Sequence, residues 1–413
     1  MTSFRTLARN HDFTVLWIGQ TISELGSRMS MFVFPLLAFQ LTGSALIAAA
    51  AESSHLVGLA VTLLPAGVLA DRVDRRLLMR FASASGALLY ASLVLAALVG
   101  ELTLVHLFIV AFLTGAGVAV FAPAEISALR TVVRSEDLPT ALSQNQARQH
   151  VAALLGGPVG GLLYGVTRWL PFAADAVTFT ISWVLLGRIR TDLSASPTHK
   201  HPREDLLAGL TFIRQRPFFR VLMVWAAGAN LMVNAVFFVA VLRLIDSGVD
   251  PVHIGLVETA AGVAGIAGAI VAPWIIDRFR TGRLTVVVAW SFVPLLIPMA
   301  LWNHPAVVAA ALGVGVFLNP AGNAGIGAYR IAVTPADLQG RVQSAMQFVS
   351  MSTLPLAPLL AGVALTGFGG APAVLALGAL TAAVALIPTL SSSVRSVPRP
   401  AEWVREEQVA VSV

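Results

Sequence analysis

Residues 67–76 have the sequence GVLADRVDRR, a short charged turn set between two long apolar runs. A degraded copy, IIDRFRTGR, occupies residues 275–283 at a displacement of 206 positions. At the same displacement Glu52 corresponds to Glu258, and further matches follow at a displacement of 200. Because many transport proteins are built from duplicated halves, this repeat predicts two similar halves joined in one chain.

The composition excludes a water-soluble globule. Of 413 residues, 57% are hydrophobic and 12% are charged, against about 25% charged in ordinary soluble domains. A bilayer core needs about 20 apolar residues per helix, and apolar runs of this length recur along the whole chain. They predict twelve membrane spans, at residues 13–40, 46–69, 77–99, 103–124, 140–165, 169–188, 218–244, 253–276, 284–302, 305–328, 341–365 and 370–390.

The arginines predict the orientation, because short cytoplasmic loops retain positive charge. With both termini inside, almost every arginine outside the spans falls on the cytoplasmic side, and the outer loops hold little beyond Arg168 and Arg243. The net charge of +6 is thus explained by loops facing anionic lipid headgroups, without nucleic acid. The start of the chain is polar and basic, so no cleavable signal peptide is predicted. Cysteine is absent.

These observations predict an all-α membrane protein with twelve transmembrane helices in two pseudo-symmetric six-helix halves. The N-terminal half is expected at residues 1–190 and the C-terminal half at 218–390. A cytoplasmic linker, residues 191–217, joins them and carries a surface helix near 206–214. A cytoplasmic tail occupies residues 391–413.

Ionisable groups inside the bilayer are costly, so they are candidates for a cavity-facing site. Glu24 and Arg28 lie four residues apart on one helix face. They form either an internal pair that stabilises packing or a proton or substrate site whose pairing changes between states. The repeat relates them to Asn230 and Asn234, as a central site between the two halves would require.

The next candidates for proton coupling are Glu52 and His55, which lie one helical turn apart. Glu258 is a further candidate because the repeat places it at the position equivalent to Glu52. A carboxylate in apolar surroundings or a histidine can exchange protons near neutral pH. The alternative is that Glu52 lies near the outer mouth and is solvated. Asp175, in the sixth span, is interpreted as a helix-packing acid.

The fifth span opens with an unusually polar face that includes Asn145 and Arg148. Arg148 is expected to neutralise an anionic substrate, to pair with Glu24, or to act as a cytoplasmic gate residue. Aromatic residues such as Phe34 and Phe238 would suit an apolar substrate cavity.

On these residues the chain resembles the major facilitator superfamily. The stretch 67–76 looks like that superfamily's signature loop, and the resemblance implies a conformational latch that closes the cytoplasmic side. The latch residues are Gly67, Asp71, Arg72, Arg75, Arg76, Asp277 and Arg278. In the fifth span, GPVGG resembles the antiporter motif of the superfamily's drug exporters and implies a pliable hinge at Gly157, Pro158, Gly160 and Gly161.

Two further stretches, residues 16–23 and 208–217, are similar to the enterobactin exporter and macrolide efflux subgroup. The resemblance implies a secondary active exporter of small amphipathic molecules, such as drugs, macrolides or siderophores, working by proton antiport with alternating access. It also implies a monomer in the bacterial inner membrane, with substrate, protons and membrane lipids as partners. One departure is that residues 104–124 hold no arginine, which many proton-coupled drug exporters carry in this span.

Other functions stay open from the sequence. A lysophospholipid flippase or an uncoupled facilitator of the same fold would show the same pattern. An integral-membrane enzyme is a distant alternative, since no nucleophile, metal-ligand or phosphate-loop pattern is present. Asp71 and Asp74 are spaced like metal ligands, but the surrounding arginines oppose a bound cation. No cofactor and no metal are predicted.

Overall fold

The computed structural model describes residues 7, 9–134, 136–194, 202–335, 338–399 and 402. Within these ranges, the side chains of residues 64, 68, 71, 139, 202–206 and 208 lie outside the description. All regular elements of the described part are helices, so the all-α prediction is confirmed.

The chain divides into two compact units. The first comprises residues 1–199 together with 245–259. Its helices are α1 (His11–Thr42), α2 (Ala45–Arg72), α3 (Arg75–Val99), α4 (Leu104–Val132), α5 (Leu138–Val166) and α6 (Leu170–Leu186).

Local sequence signals set the ends of these helices. The Asn10 side chain accepts hydrogen bonds from the backbone amides of Asp12 and Phe13, and so caps the start of α1. Gly43 ends α1 with φ of 65°, a left-handed conformation that favours glycine. Asp74 caps α3 in the same manner as Asn10 caps α1, accepting from the amides of Arg76 and Leu77.

Within the first unit α2 packs along α4, α3 along α6, and α1 against both α5 and α6. Glycines permit the closest of these approaches. A Cβ atom at Gly58 would lie 2.0 Å from the carbonyl oxygen of Phe112, and one at Gly115 would lie 2.0 Å from that of His55. Small residues allow helix backbones to meet in this way inside membranes, and this contact holds α2 closely against α4.

The second unit comprises residues 200–244 and 260–413. Its helices are α7 (Pro202–Gln215), α8 (Pro217–Asp246), α9 (Pro251–Arg278), α10 (Thr281–Trp290), α11 (Leu296–Leu301), α12 (Pro305–Phe317), α13 (Asn319–Ala332), α14 (Gln339–Ser352), α15 (Leu356–Phe368), α16 (Gly370–Leu390) and α17 (Ser392–Arg395). The first residues of α9 and the end of α8 belong to the first unit.

Three predicted spans of the second unit are interrupted helices. The span at 284–302 consists of α10, a 3₁₀ turn at Val293–Leu295 and α11. The breaks in the other two lie at Leu318, beside Pro320, and at Pro355. Proline lacks a backbone donor and clashes with the preceding turn, which explains why these helices break there.

Ten helical stretches of the described chain are long and apolar enough to cross a membrane. The other two predicted spans are also helices. α5 has 29 residues but a polar first half, and α6 has 17 residues, which places it just below the usual spanning length. The chain is therefore an integral membrane protein. That α5 and α6 also cross the membrane, which would make twelve spans, stays a prediction.

The predicted linker helix near 206–214 corresponds to α7. It packs against α14, with Phe212 and Ile213 buried. A Cβ at Gly209 would lie 2.4 Å from the backbone oxygen of Arg341, so α7 is docked closely on the second unit. The predicted division of the chain at 191–217 stays a prediction.

Candidate functional site

A charged cavity of about 220 Å³ lies inside the first unit, and we call it the first cavity. Three ionisable side chains line it: Glu24 and Arg28 from α1, and Glu125 from α4. The other lining residues are Gln20, Ser23, Ser27, Ala82, Ser85, Gly86, Leu113, Thr114, Gly117, Val118, Phe121, Ala122, Gln149 and Phe179. An enclosed space with a few convergent polar groups is the usual form of a small-molecule site.

Glu24 and Arg28 form an ion pair along the wall of the first cavity. The Nε and Nη2 atoms of Arg28 each lie 3.0 Å from Oε1 of Glu24. The Arg28 side chain is 40% exposed and that of Glu24 is 26% exposed, so both can be reached from the cavity. The predicted pair is thus present in the structure, while its role in proton or substrate binding stays a prediction.

Arg148 and Glu125 form a second, deeper ion pair. Nη2 of Arg148 lies 2.8 Å from Oε1 of Glu125 and also donates to the Asn145 side chain. The Arg148 side chain is only 1% exposed, and its Nε and Nη1 atoms have no hydrogen-bond partner among the described residues. Removing one member of a buried pair is strongly destabilising because it leaves the other charge without a partner, so each of these two residues depends on the other.

This pairing corrects the expectation for Arg148. From the sequence, the expected partner was Glu24 or an anionic substrate, with a gate role as the alternative, whereas the structure pairs Arg148 with Glu125. Glu125 was missed because the predicted fourth span ended at residue 124, while α4 continues to Val132. The polar face that opens α5 was a signal that a buried partner was needed.

Glu52 and His55 of α2 are buried, with exposures of 4% and 3%. The alternative of a solvated Glu52 near the outer mouth is therefore wrong. The His55 ring lies 3.4 Å from the Thr114 hydroxyl, while Oε2 of Glu52 has no hydrogen-bond partner among the described residues. Glu52 interacts electrostatically with Glu258 and Arg28. The Glu52 side chain is thus buried, whereas Glu258 is half-buried and Arg28 reaches the first cavity.

Two overlapping glycine pairs in α5 create close contacts on two adjacent faces. A Cβ at Gly156 would lie 2.3 Å from Cβ of Arg28. On the other face, a Cβ at Gly157 would lie 2.9 Å from Oε2 of Glu258, and one at Gly161 would lie 2.7 Å from the carbonyl oxygen of Pro251. The segment GGPVGG therefore positions α5 directly against the helices that carry Arg28 and Glu258. Gly160 faces the Met29 backbone in the same way, and Pro158 lies between the glycines.

A second cavity, of about 230 Å³, lies inside the second unit and carries no charged residue among its lining side chains. Its polar lining groups include the amides of Asn230, Asn319 and Asn323. The Asn230 amide donates to the Ser350 hydroxyl at 2.8 Å. Trp225 also lines the cavity, and its buried Nε1 atom has no hydrogen-bond partner among the described residues. The second cavity thus offers neutral hydrogen-bonding groups on an apolar wall.

The two cavities are lined by equivalent positions of the internal repeat. Nine residues of the first cavity have a partner in the second at a displacement of 206. The pairs are Gln20 with Ala226, Ser23 with Ala229, Glu24 with Asn230, Ser27 with Val233, Ala82 with Val288, Gly86 with Phe292, Leu113 with Asn319, Gly117 with Asn323, and Phe179 with Ala385. The repeat therefore extends from the sequence to the position of the cavities within each unit.

Several other predicted site residues lie elsewhere. Phe34 is fully buried among Tyr90 and Phe172, at ring-centroid distances of 6.3 and 5.5 Å. It lines neither cavity because it fills the core of the first unit. Phe238 packs on Phe237 and also lines neither cavity. The Asn145 side chain accepts a hydrogen bond from Arg148, which pairs with Glu125 of the first cavity. The Asn234 side chain donates to the backbone oxygen of Asn230 at 2.8 Å, and Asn230 lines the second cavity.

The charged turn at 67–76 is anchored to the segment after α6. Arg75 donates through its backbone amide to Leu193 and through Nη1 to Ser194, each at 3.2 Å. Arg76 donates to the carbonyl oxygen of Thr191 at 2.5 Å. These contacts tie the start of α3 to residues 191–194, which we call the first strap.

The other latch residues are not anchored in this way within the described chain, and their role as a latch stays a prediction. Nothing lies within 4 Å of a Cβ built at Gly67, so this glycine makes no close helix contact within the described chain. The Asp71 side chain lies outside the described part of the structure, and the carboxylate that caps α3 belongs to Asp74. Arg72 is exposed. Asp277 and Arg278 line an open cleft at the end of α9.

The sequence matches those of known proteins over most of its length. The profile of the Major Facilitator Superfamily matches residues 16–358. The multidrug efflux pump Tap of Mycolicibacterium fortuitum is 26% identical over 82% of this chain and 85% of that protein. Macrolide efflux protein A of Streptococcus pyogenes is 25% identical over 62% and 65%, and the enterobactin exporter EntS of Citrobacter koseri is 25% identical over 57% and 59%.

Among solved structures, the nucleoside transporter NupG matches with a TM-score of 0.74 and 10% identity, over 92% of this chain and 98% of NupG. At that identity the likeness shows the fold. The sequence resemblance to the macrolide efflux and enterobactin exporter subgroup is confirmed by the relatives, which are named efflux proteins. Since the profile covers most of the described helices, this chain belongs to the major facilitator superfamily.

Proposed function

We propose that this protein exports small amphipathic molecules in exchange for protons, by alternating access. Drugs, macrolides and siderophore-like compounds are the substrate classes, as the names of its relatives suggest for those proteins. The observation that carries the proposal is the first cavity, where an accessible ion pair stands beside a buried one. Ionisable groups persist inside a membrane protein where they serve ion or substrate movement.

Glu24 is the first candidate for proton exchange because it can be reached from the first cavity. Within the described chain, its one ion-pair partner is Arg28. Protonation of Glu24 would release Arg28 and change the charge that a substrate meets. Glu125 is a further candidate, since it lines the same cavity and depends on Arg148. The remaining candidates for proton exchange are Glu52, His55 and Glu258. Oε2 of Glu52 has no hydrogen-bond partner among the described residues, which supports proton binding there.

Substrate contacts are proposed in each cavity separately. In the first cavity Arg28 and Gln149 supply charge and an amide. In the second cavity Asn230, Asn319 and Asn323 supply neutral hydrogen bonds beside Trp225 and Met232. This mixture of apolar wall and scattered polar groups suits amphipathic molecules. We also propose that the charged turn at 67–76 acts as the cytoplasmic latch. The variant Asp71→Asn is then expected to impair transport without affecting membrane insertion.

The test is substrate-dependent proton movement in proteoliposomes with an acidic lumen and a pH dye inside. Antiport carries substrate in and protons out, so adding the right substrate outside should raise the luminal pH. The panel contains macrolides, catecholate siderophores and lysophospholipids. Glu24→Gln should lose the response, while Glu101→Gln, in an exposed loop, serves as the matched control and should keep it.

Substrate flux without any pH change would overturn proton antiport and favour an uncoupled facilitator. A response to lysophospholipid alone would favour a flippase of the same fold. If both Glu24→Gln and Glu52→Gln keep a normal pH response, the coupling residues proposed here are wrong.

A further inference from the structure

An open, basic cleft lies at the end of α9 in the second unit. Its walls are Trp274, Asp277, Arg278, Phe279, Arg283 and Arg399, which give three positive charges against one negative charge. Neither Arg278, Arg283 nor Arg399 takes part in an ion pair among the described residues. Three guanidinium groups line one cleft with a single carboxylate, and this excess of positive charge favours an anionic ligand.

The backbone holds this cleft in place. The amides of Thr281 and Gly282 donate to the carbonyl oxygens of Pro398 and Val397, at 3.4 and 3.1 Å. A Cβ at Gly282 would lie 2.2 Å from the carbonyl oxygen of Val394. The segment after α16 is thereby fixed on the start of α10, which brings Arg399 to the cleft that also holds Arg283.

An exposed apolar stripe on α9 leads to the cleft. Ile266, Ile270 and Trp274 are 40%, 76% and 61% exposed, and the next residue at the same spacing of four is Arg278. Residues spaced by four lie on one helix face, so the stripe ends at a guanidinium, with Arg278 lying 5.7 Å from the Trp274 ring centre. Aromatic residues and arginine at a span end are typical of the headgroup region of a bilayer.

The equivalent turn of the first unit is built differently. At a displacement of 206, Trp274, Phe279 and Arg283 correspond to Val68, Val73 and Leu77, and Arg280 corresponds to Asp74. Arg75 and Arg76 of the first turn donate to backbone carbonyls of the first strap, whereas no such bond engages the arginines of the cleft within the described chain. The arginines of the second turn are therefore available to a ligand.

We propose that this cleft binds the phosphodiester headgroup of an anionic phospholipid from the bilayer, with an acyl chain lying along Ile266, Ile270 and Trp274. Arg278, Arg283 and Arg399 contact the phosphate oxygens, and Trp274 lies at the junction of headgroup and chain. Anionic lipid is the occupant because the charge and the apolar stripe occur together. A soluble phosphate compound would use the arginines but not the stripe.

The experiment is native mass spectrometry of the full chain, delipidated in detergent and titrated with phosphatidylglycerol or phosphatidylcholine of the same acyl chains. Wild-type protein should retain phosphatidylglycerol at concentrations at least about tenfold lower than phosphatidylcholine. The variant R278Q/R283Q/R399Q should lose affinity for phosphatidylglycerol by roughly 100-fold, since each arginine near a membrane surface is worth about fivefold. Trp274→Ala should weaken binding of both lipids.

The control variant is R130Q/R188Q/R190Q, which removes the same charge from three exposed arginines of the first unit. It should bind phosphatidylglycerol within about twofold of wild type. Equal losses in the two triple variants would overturn the proposal, because binding would then reflect overall charge. Displacement of the lipid by millimolar inorganic phosphate would also overturn it, since the cleft would then be a soluble-anion site. Thermal unfolding of each variant identifies any that fails to fold, and the single variant Arg399→Gln, outside every helix, then replaces the triple.

Discussion

The first and second cavities occupy equivalent positions of the repeat and have nearly the same volume, about 220 and 230 Å³. They differ in charge. Glu24 in the first cavity is matched by Asn230 in the second, and Leu113 and Gly117 are matched by Asn319 and Asn323. The two halves have thus kept the geometry of a cavity while their chemistry diverged, with ionisable groups in one and neutral amides in the other.

The free-energy cost of placing polar groups inside the membrane also differs between the two cavities. An unpaired charge within a membrane costs several kcal/mol, and in the first cavity each charged lining residue has an ionic partner. A neutral amide in the second cavity costs less, so Asn319 and Asn323 can remain available for hydrogen bonds. We therefore expect changes in the first cavity to affect stability and proton coupling, and changes in the second to affect substrate affinity.

The largest effect is expected from Arg148→Met, which leaves Glu125 buried without its partner. The free energy of unfolding should fall by about 3–5 kcal/mol, measured by denaturant titration in detergent. The double variant Arg148→Met/Glu125→Gln should recover most of that loss, because no charge then lacks a partner. The matched change in the second cavity, Asn319→Leu, should cost about 1 kcal/mol or less. Equal losses for both single variants would contradict the proposed difference between the cavities.

The second largest effect is expected when Glu24 is replaced by asparagine, the residue type found at the equivalent position of the repeat, Asn230. Glu24→Asn should reduce the substrate-dependent pH response in proteoliposomes by roughly 10- to 100-fold, the range expected when a charged hydrogen bond is lost. Asn230→Ala should weaken substrate affinity about two- to tenfold and leave the proton stoichiometry unchanged. If Asn230→Ala abolishes the pH response as well, the division of roles between the cavities is wrong.

The glycines of α5 give a third comparison between the halves. At a displacement of 200, Gly157 and Gly161 correspond to Ala357 and Ala361, which are fully buried, so the second unit tolerates a methyl group where the first has none. Gly161→Ala should destabilise the protein by about 1–3 kcal/mol through overpacking on Pro251, measured by denaturant titration. Ala357→Gly should cost about 1 kcal/mol through the added backbone freedom of glycine. Gly165→Ala is the control, because nothing lies within 4 Å of its Cβ.

The smallest effect concerns the two charged turns. Arg76→Met removes a charged hydrogen bond to the first strap and should lower the unfolding free energy by about 1 kcal/mol. Arg283→Met should change it by no more than about 0.5 kcal/mol in detergent without added phospholipid, since no bond from the Arg283 side chain is present within the described chain. Thermal unfolding of the two variants, side by side, checks this difference.

Much of the fold could be predicted from the sequence because its causes are local. The length of an apolar run determines whether a helix can span the bilayer, and the repeat at 206 is visible in the residues themselves. The breaks in three spans of the second unit were missed, although Pro320 and Pro355 were present as signals. The Glu24–Arg28 pair was predictable because both residues lie on one turn of one helix.

The deeper parts of the site depended on contacts between helices. Glu125 was placed just outside its span since the apolar run ends at Ala124, yet α4 continues to Val132 and Arg148 of α5 neutralises the carboxylate. The burial of Glu52 could not be predicted from α2 alone. It depends on residues far away in the chain, since Glu52 interacts electrostatically with Arg28 of α1 and Glu258 of α9.

The sequence by itself therefore determined the membrane character, the helices, the repeat and the residue types able to carry charge, because hydrophobicity and spacing act within one segment. Only the tertiary structure decided which charges pair, which carboxylate stays without a partner, and which arginines of the two turns are engaged or available. Those outcomes depend on which helix faces meet, and a side chain's desolvation and its ionic partner are set by residues far away in the chain.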